Sequence, residues 1–170
     1  GNPVNPIIRS RSSSNTIAIG YQATAGSFDD EEQEAIGNAS IAIGTASQAL
    51  ADGSIALGLS ANASQLGSTA IGAFALSTGV NSSAFGRDSL ASARNSTALG
   101  RLSKATGNYS SAVGSESNAG GRNSTAVGAI ATSSGSFSTA IGTRSKASGY
   151  ASTAVGQGSN VTGTNATALG

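Results

Sequence analysis

The chain has 170 residues, yet only 4% are aromatic, tryptophan and methionine are absent and alanine is the commonest apolar residue, which excludes a core of ordinary thickness filled by large side chains. Cysteine and histidine are also absent, which removes disulfides, thiolate chemistry and the commonest general base and metal ligand. The net charge of +1 is divided: residues 1–80 carry Arg9 and Arg11 against six carboxylates, and residues 81–170 carry seven cations against Asp88 and Glu116, so the two ends have potentials of opposite sign.

Residues 1–14 form a lead-in without repeats. They lack a signal-peptide core, and no apolar run in the chain approaches the ~18 residues of a membrane span. From residue 15 onward one tripeptide recurs: alanine, a bulky apolar residue, glycine. Its first copy is Ala18-Ile19-Gly20. The next, Ala42-Ile43-Gly44, begins an unbroken series every 14 residues that ends at Ala168-Leu169-Gly170. A fixed short period predicts a solenoid, each unit burying its apolar face against its neighbours. Gly- and Ser-rich composition without that register would read as disorder.

The first two copies are 24 residues apart, one period plus ten. The insertion, at about 26–40, contains Phe28, Asp29, Asp30, Glu31, Glu32 and Glu34, and so five of the eight acidic residues. It is a candidate cation site or ligand-contacting loop. It fails the EF-hand pattern because its acids are contiguous and no glycine stands at the sixth position. The plainer reading is a solvated loop protruding from a corner.

Within a coil numbered 1 to 14 and ending on the glycine, positions 10–13 predict a first strand. Position 10 is usually Ser, 11 Thr or another β-branched residue, 12 Ala, and 13 bulky and apolar. Positions 11 and 13 share one face, 10 and 12 the other. Positions 3–5 predict a second strand with small residues at 3 and 5 and variable, solvent-facing residues such as Gln48, Lys104 and Lys146 at 4. Glycine at positions 14 and 7 predicts two corners with φ > 0, and Asn81, Asn95, Asn123 and Asn165 suit left-handed corner positions as well. Like positions then stack about 4.8 Å apart in parallel. A helix would carry two glycines per unit at about 1 kcal/mol each.

A first strand that is small or apolar on both faces is expected to be covered on both. One face packs across the roll; the other is either exposed or meets a partner chain, and the repeated stripe favours oligomerisation. Alternation alone does not assign which face turns inward. The position-13 ladder is expected to lock the array, with Phe85 in a buried place where truncation costs about 3–5 kcal/mol.

Asn123-Ser124-Thr125-Ala126-Val127-Gly128 with Ala129, Ala131 and Gly135, and Asn95 through Gly100 with Ser103, Ala105 and Gly107, resemble the YadA-like head repeats of trimeric autotransporter adhesins. The resemblance covers about 15–170. It implies an all-β, left-handed parallel β-roll assembled as a homotrimer, without catalytic residues, metal or cofactor. It also implies display on the bacterial surface, anchored in the outer membrane in the full-length protein. The partners it implies are host extracellular-matrix proteins, cell-surface molecules or further copies of itself, and not nucleic acid. Family members carry a neck, a coiled-coil stalk and a C-terminal membrane anchor that these residues do not show, so the chain is expected to be an excised head.

The basic residues form partial columns: Arg87 and Arg101 at position 1, Arg94 and Arg122 at position 8, Lys104 and Lys146 at position 4, with Arg144 beside them. They are the candidate ligand-binding surface, for an acidic polymer or matrix protein; ordinary solubility charge is the alternative. No nucleophile motif or phosphate loop accompanies the many serines. A structural or ice-binding solenoid or a phage fibre segment is the competing class. Thr97, Thr125, Thr139, Thr153 and Thr167 stack at position 11, but their strand partner at 13 is aliphatic and no Thr-x-Thr rank forms.

Overall fold

The structure, a computed structural model, describes residues 15–28, 35–36 and 38–170. Among them there is no helix. An 11-stranded parallel sheet runs from Ile17–Ile19 to Thr167–Leu169, and a 10-stranded parallel sheet from Thr24–Ala25 to Asn160–Val161. The chain alternates between the two, as the two-strand coil predicts. The strands are one residue shorter than expected at their starts, occupying positions 11–13 and 4–5.

Register follows the period. Thr97, Ala98 and Leu99 pair with Ser111, Ala112 and Val113, and Lys104 and Ala105 with Asn118 and Ala119. Across the ten-residue insertion the stack is unbroken, Ile17 pairing with Ile41 and Ile19 with Ile43. The insertion leaves by the corner after Gly26, whose N–H donates to the Ala49 carbonyl at 2.7 Å. At its base Ser27–Phe28 pairs antiparallel with Ala35–Ile36, a pairing that the charge pattern of the insertion does not predict. Asp29, Asp30, Glu31, Glu32 and Glu34 lie outside the described residues.

The interior is built of alanine and serine. Position 12 is fully buried from Ala42 to Ala154, as are the serines at position 10, the Ser or Ala of position 3 and the small residues of position 5 in the central coils; among the described residues Val161, in the last of the 10 strands, is the one larger buried side chain. Facing strands approach within 8 Å between Cα atoms, closer than the ~10 Å of ordinary stacked sheets. Serine fits here because many of these hydroxyls find a nearby carbonyl, although those of Ser110, Ser124 and Ser145 are buried without a partner among the described residues. At position 3, Ser103 Oγ donates to the Gly100 carbonyl at 2.8 Å; at position 10, Ser96 Oγ donates to that of Ala93 at 2.7 Å. Where position 5 is also serine, a cross-roll pair forms, as in Ser133–Ser138 at 2.6 Å.

This core corrects the expectation for position 13. Positions 10 and 12 turn inward, so 11 and 13 face out, and Phe85 is half-buried on the outer face. The reason is volume: a roll thin enough for its sheets to meet through Ala and Ser has no room for a phenyl ring. The bulky ladder therefore does not fill the roll, and a loss of 3–5 kcal/mol does not apply to Phe85 in a single chain.

The corners correct a second expectation. Gly at position 14 does have positive φ, between +118° and +137°, and a Cβ on Gly100 would stand 2.5 Å from the Gly114 carbonyl oxygen. Gly at position 7 is not left-handed. It is required by close approach, because a Cβ on Gly107 would collide with the Gly121 carbonyl oxygen. The other left-handed turns fall at positions 2 and 9. The asparagines expected there are confirmed at position 9, with Asn81, Asn95, Asn123 and Asn165 at φ 53–54°.

Candidate functional site

With the small residues sealed inside, function falls to the surface, and the two sheets present different ones. On the 10-stranded sheet, position 4 is mostly polar and varies from coil to coil, through Gln48, Asn62, Lys104, Asn118 and Lys146. On the 11-stranded sheet, positions 11 and 13 carry Ile, Leu, Val, Phe, Thr or Ser in every strand and never a charge. That stripe is two side chains wide and about 48 Å long at the parallel-strand spacing. Ile19 is 53% exposed and Leu99 47%. An unbroken column of apolar side chains at position 13, beside a position-11 column that is mostly Thr or Ser, is the kind of surface that marks an interaction site.

The seven basic candidates do not form one patch; the coil distributes them over three places. Arg87, Arg101 and Arg144 stand at the corner of positions 1 and 2. Two of them are engaged: Arg87 Nε lies 3.2 Å from an Asp88 oxygen, and Arg101 Nη1 donates to Glu116 Oε1 at 3.2 Å. Lys104 and Lys146 stand exposed on the 10-stranded sheet, three strands apart on the same face. Arg94 and Arg122 are exposed at the opposite corner, at position 8. No ion pair involves these four among the described residues. Of the loop candidates, only Phe28 is described, as a backbone pairing with Ala35.

Sequence reasoning missed the exposed aromatics. Tyr109 and Phe137 occupy position 9 and Tyr150 position 8, beside Arg94 and Arg122, and all three rings are about half exposed. The available signal was substitution against the repeat: position 9 is elsewhere mainly Gly or Asn. The described residues contain no cluster of three or more His, Cys, Asp or Glu that could hold a metal.

The family model for the YadA head domain repeat matches residues 12–26, 35–61, 51–75, 77–103, 91–117, 119–145 and 147–170. The chain belongs to the YadA head family. Among solved structures, the collagen-binding domain of the Yersinia adhesin YadA is similar, with a TM-score of 0.59 at 23% identity over 92% of this chain and 80% of that one. At that identity the likeness speaks for the fold. No curated protein sequence matches the chain. The YadA head repeat places the 14-residue motif, the parallel roll and an adhesin-type function in one family, and it accounts for the residues that recur: Ser and Ala for the interior, Gly for the coil-to-coil contact, and an aliphatic residue for the outer face.

Proposed function

We propose that the chain is the head of a bacterial surface adhesin, a non-enzymatic rod whose outer faces contact host matrix proteins or cell-surface molecules, or other copies of the same head. The observation that carries this reading is the asymmetry between the two sheets. The uncharged stripe of positions 11 and 13 fits association of three chains about a common axis, each stripe covered by the other two. The polar, variable position-4 face then points outward to ligand. Burial in such an assembly gives the position-13 ladder the role that the thin roll denies it inside a single chain, since each exposed aliphatic side chain gains up to about 1.5–3 kcal/mol on full burial. The head is held at the cell surface by an outer-membrane anchor belonging to the full-length protein.

The matched Yersinia domain is named for collagen, so collagen is the first ligand to try. Purified head is applied to wells coated with collagen, laminin, fibronectin or albumin, and autoaggregation is followed with cells displaying it. Saturable binding to a matrix protein over albumin, or aggregation lost when the head is deleted, supports the reading. Absence of both refutes it. One feature favours the ice-binding alternative: Thr125, Thr139, Thr153 and Thr167 stand in register on one outer face. Thermal hysteresis of a chain that remains monomeric would favour that class instead.

A further inference from the structure

We propose that the corner at positions 8 and 9, over the five coils from Arg94 to Tyr150, is a binding track for a linear anionic polysaccharide. This deepens the adhesin reading and rests on it, by naming a ligand class and a place.

Five successive coils present, in order, Arg94, Tyr109, Arg122, Phe137 and Tyr150, all exposed. Backbone bonds hold neighbours in step: Tyr109 N–H donates to the Arg94 carbonyl at 2.9 Å, and Phe137 N–H to the Arg122 carbonyl at 2.8 Å. The rings of Phe137 and Tyr150 meet edge to face, with centroids 5.6 Å apart. At the parallel-strand spacing the track is about 19 Å long.

Folding does not account for these rings. Tyr109 and Phe137 both have φ of 60°, a region where bulky residues are disfavoured and Gly or Asn is the usual choice. Seven other coils use Asn15, Gly53, Gly67, Asn81, Asn95, Asn123 and Asn165 there. With Tyr109 50% and Phe137 48% exposed, burial within the chain offsets little of that cost. Strain kept at an exposed place points to a contact outside the chain.

Charge selects the partner. Beyond residue 80 the carboxylates are Asp88 and Glu116, both at position 2 on the other corner and each held by an arginine. The 8–9 corner of these coils carries no acid, so its field is uniformly positive. The two cations, Arg94 and Arg122, stand two coils apart, about 9.6 Å, with Tyr109 in the coil between. A sugar residue in an extended chain advances by about one coil spacing. A polymer with an acid group on alternate sugars therefore sets sulfates or carboxylates against Arg94 and Arg122, where the guanidinium forks match them. The C–H face of the intervening sugar lies on Tyr109. A single-stranded nucleic acid would also stack on rings, but it carries a charge on every residue and fits alternate cations less well.

The test uses the assembled head with immobilised heparin, neutral dextran and oligo-dT as probes, in two double variants: Tyr109→Asn with Phe137→Asn, and Arg94→Ser with Arg122→Ser. Asparagine is native to position 9 in neighbouring coils, so folding is retained. The expected result is heparin binding that weakens with salt, is not matched by dextran or oligo-dT, and falls about tenfold or more in each variant at unchanged particle mass and with no loss of melting temperature. The proposal is overturned if heparin binds no better than dextran, if oligo-dT competes equally, or if the asparagine variant binds like wild type. It is also overturned if that variant dissociates the assembly, since the rings then belong to a chain–chain contact. Wells coated with glycan-stripped matrix proteins separate the two readings: binding there without heparin binding removes only the track, while failure in both removes the adhesin reading as well.

Discussion

Ala98 and Leu99 are neighbours in one strand and point in opposite directions, so exchanging their sizes tests the inside and outside of the roll directly. Ala98 is fully buried, between Ala84 and Ala112 in its ladder, both equally buried. Ala98→Leu inserts three carbons into a space whose walls are set by the coil repeat, and overpacking of this kind costs about 1–3 kcal/mol or more. Leu99 is 47% exposed in the single chain. Its truncation removes about half the value of a buried leucine, so Leu99→Ala costs about 1 kcal/mol in a dilute monomer. Urea denaturation followed by far-UV circular dichroism, at low and high protein concentration, measures both. The dilute chain is expected to lose more from Ala98→Leu. At high concentration the cost of Leu99→Ala rises toward the 2–5 kcal/mol of a buried leucine as neighbouring chains cover the stripe. A dilute chain that tolerates Ala98→Leu and is disrupted by Leu99→Ala would refute the assignment of faces.

Further outcomes follow from the corners and the surface. Gly100→Ala meets both positive φ and the Gly114 carbonyl oxygen, so it is expected to cost more than about 2 kcal/mol; Gly53→Ala, at φ +63° with nothing within 4 Å, should cost only about 1 kcal/mol, and thermal melts compare the two. Phe74 has φ of 59° and is exposed at position 2, so Phe74→Asn is expected to leave the melting temperature unchanged or raise it, by up to about 1 kcal/mol in stability. Glu116→Gln breaks an ion pair whose two side chains are half exposed; the loss should stay below about 1 kcal/mol and vanish in molar salt.

The period carried most of the fold. A tripeptide in strict register dictated parallel stacking, the two-strand coil and the pairing of faces, because a solenoid repeats every local choice in each coil. The same residues could not say which face of the first strand turns inward. Thr125 and Val127 on one side and Ser124 and Ala126 on the other are both compatible with burial, and only the closeness of the two sheets decides. The expectation for Phe85 failed on that point, since size was read as a sign of coreness in a roll too thin for it. Gly107 failed for a related reason: a glycine needed for φ > 0 and one needed for backbone contact look alike in sequence. The surface was the least legible part. Arg101 and Arg94 are both isolated cations in the sequence, yet one is paired with Glu116 across the next coil and the other stands beside exposed rings. The acidic residues 29–34 lie beyond the described residues, so their role as a cation site or ligand-contacting loop stands as a proposal.

The central claim is that the uncharged stripe of positions 11 and 13 is covered by copies of the same chain. Sedimentation equilibrium of the wild-type head beside a Val113→Lys, Val127→Lys double variant tests it most directly, because both residues lie in the middle of the stripe on adjacent strands and neither touches the Ala and Ser interior. At micromolar concentration the wild type is expected to sediment as three chains and the variant as one, with the β-sheet circular dichroism of both intact. A wild type that sediments as a single chain, or a variant that keeps the mass of three, would contradict the account.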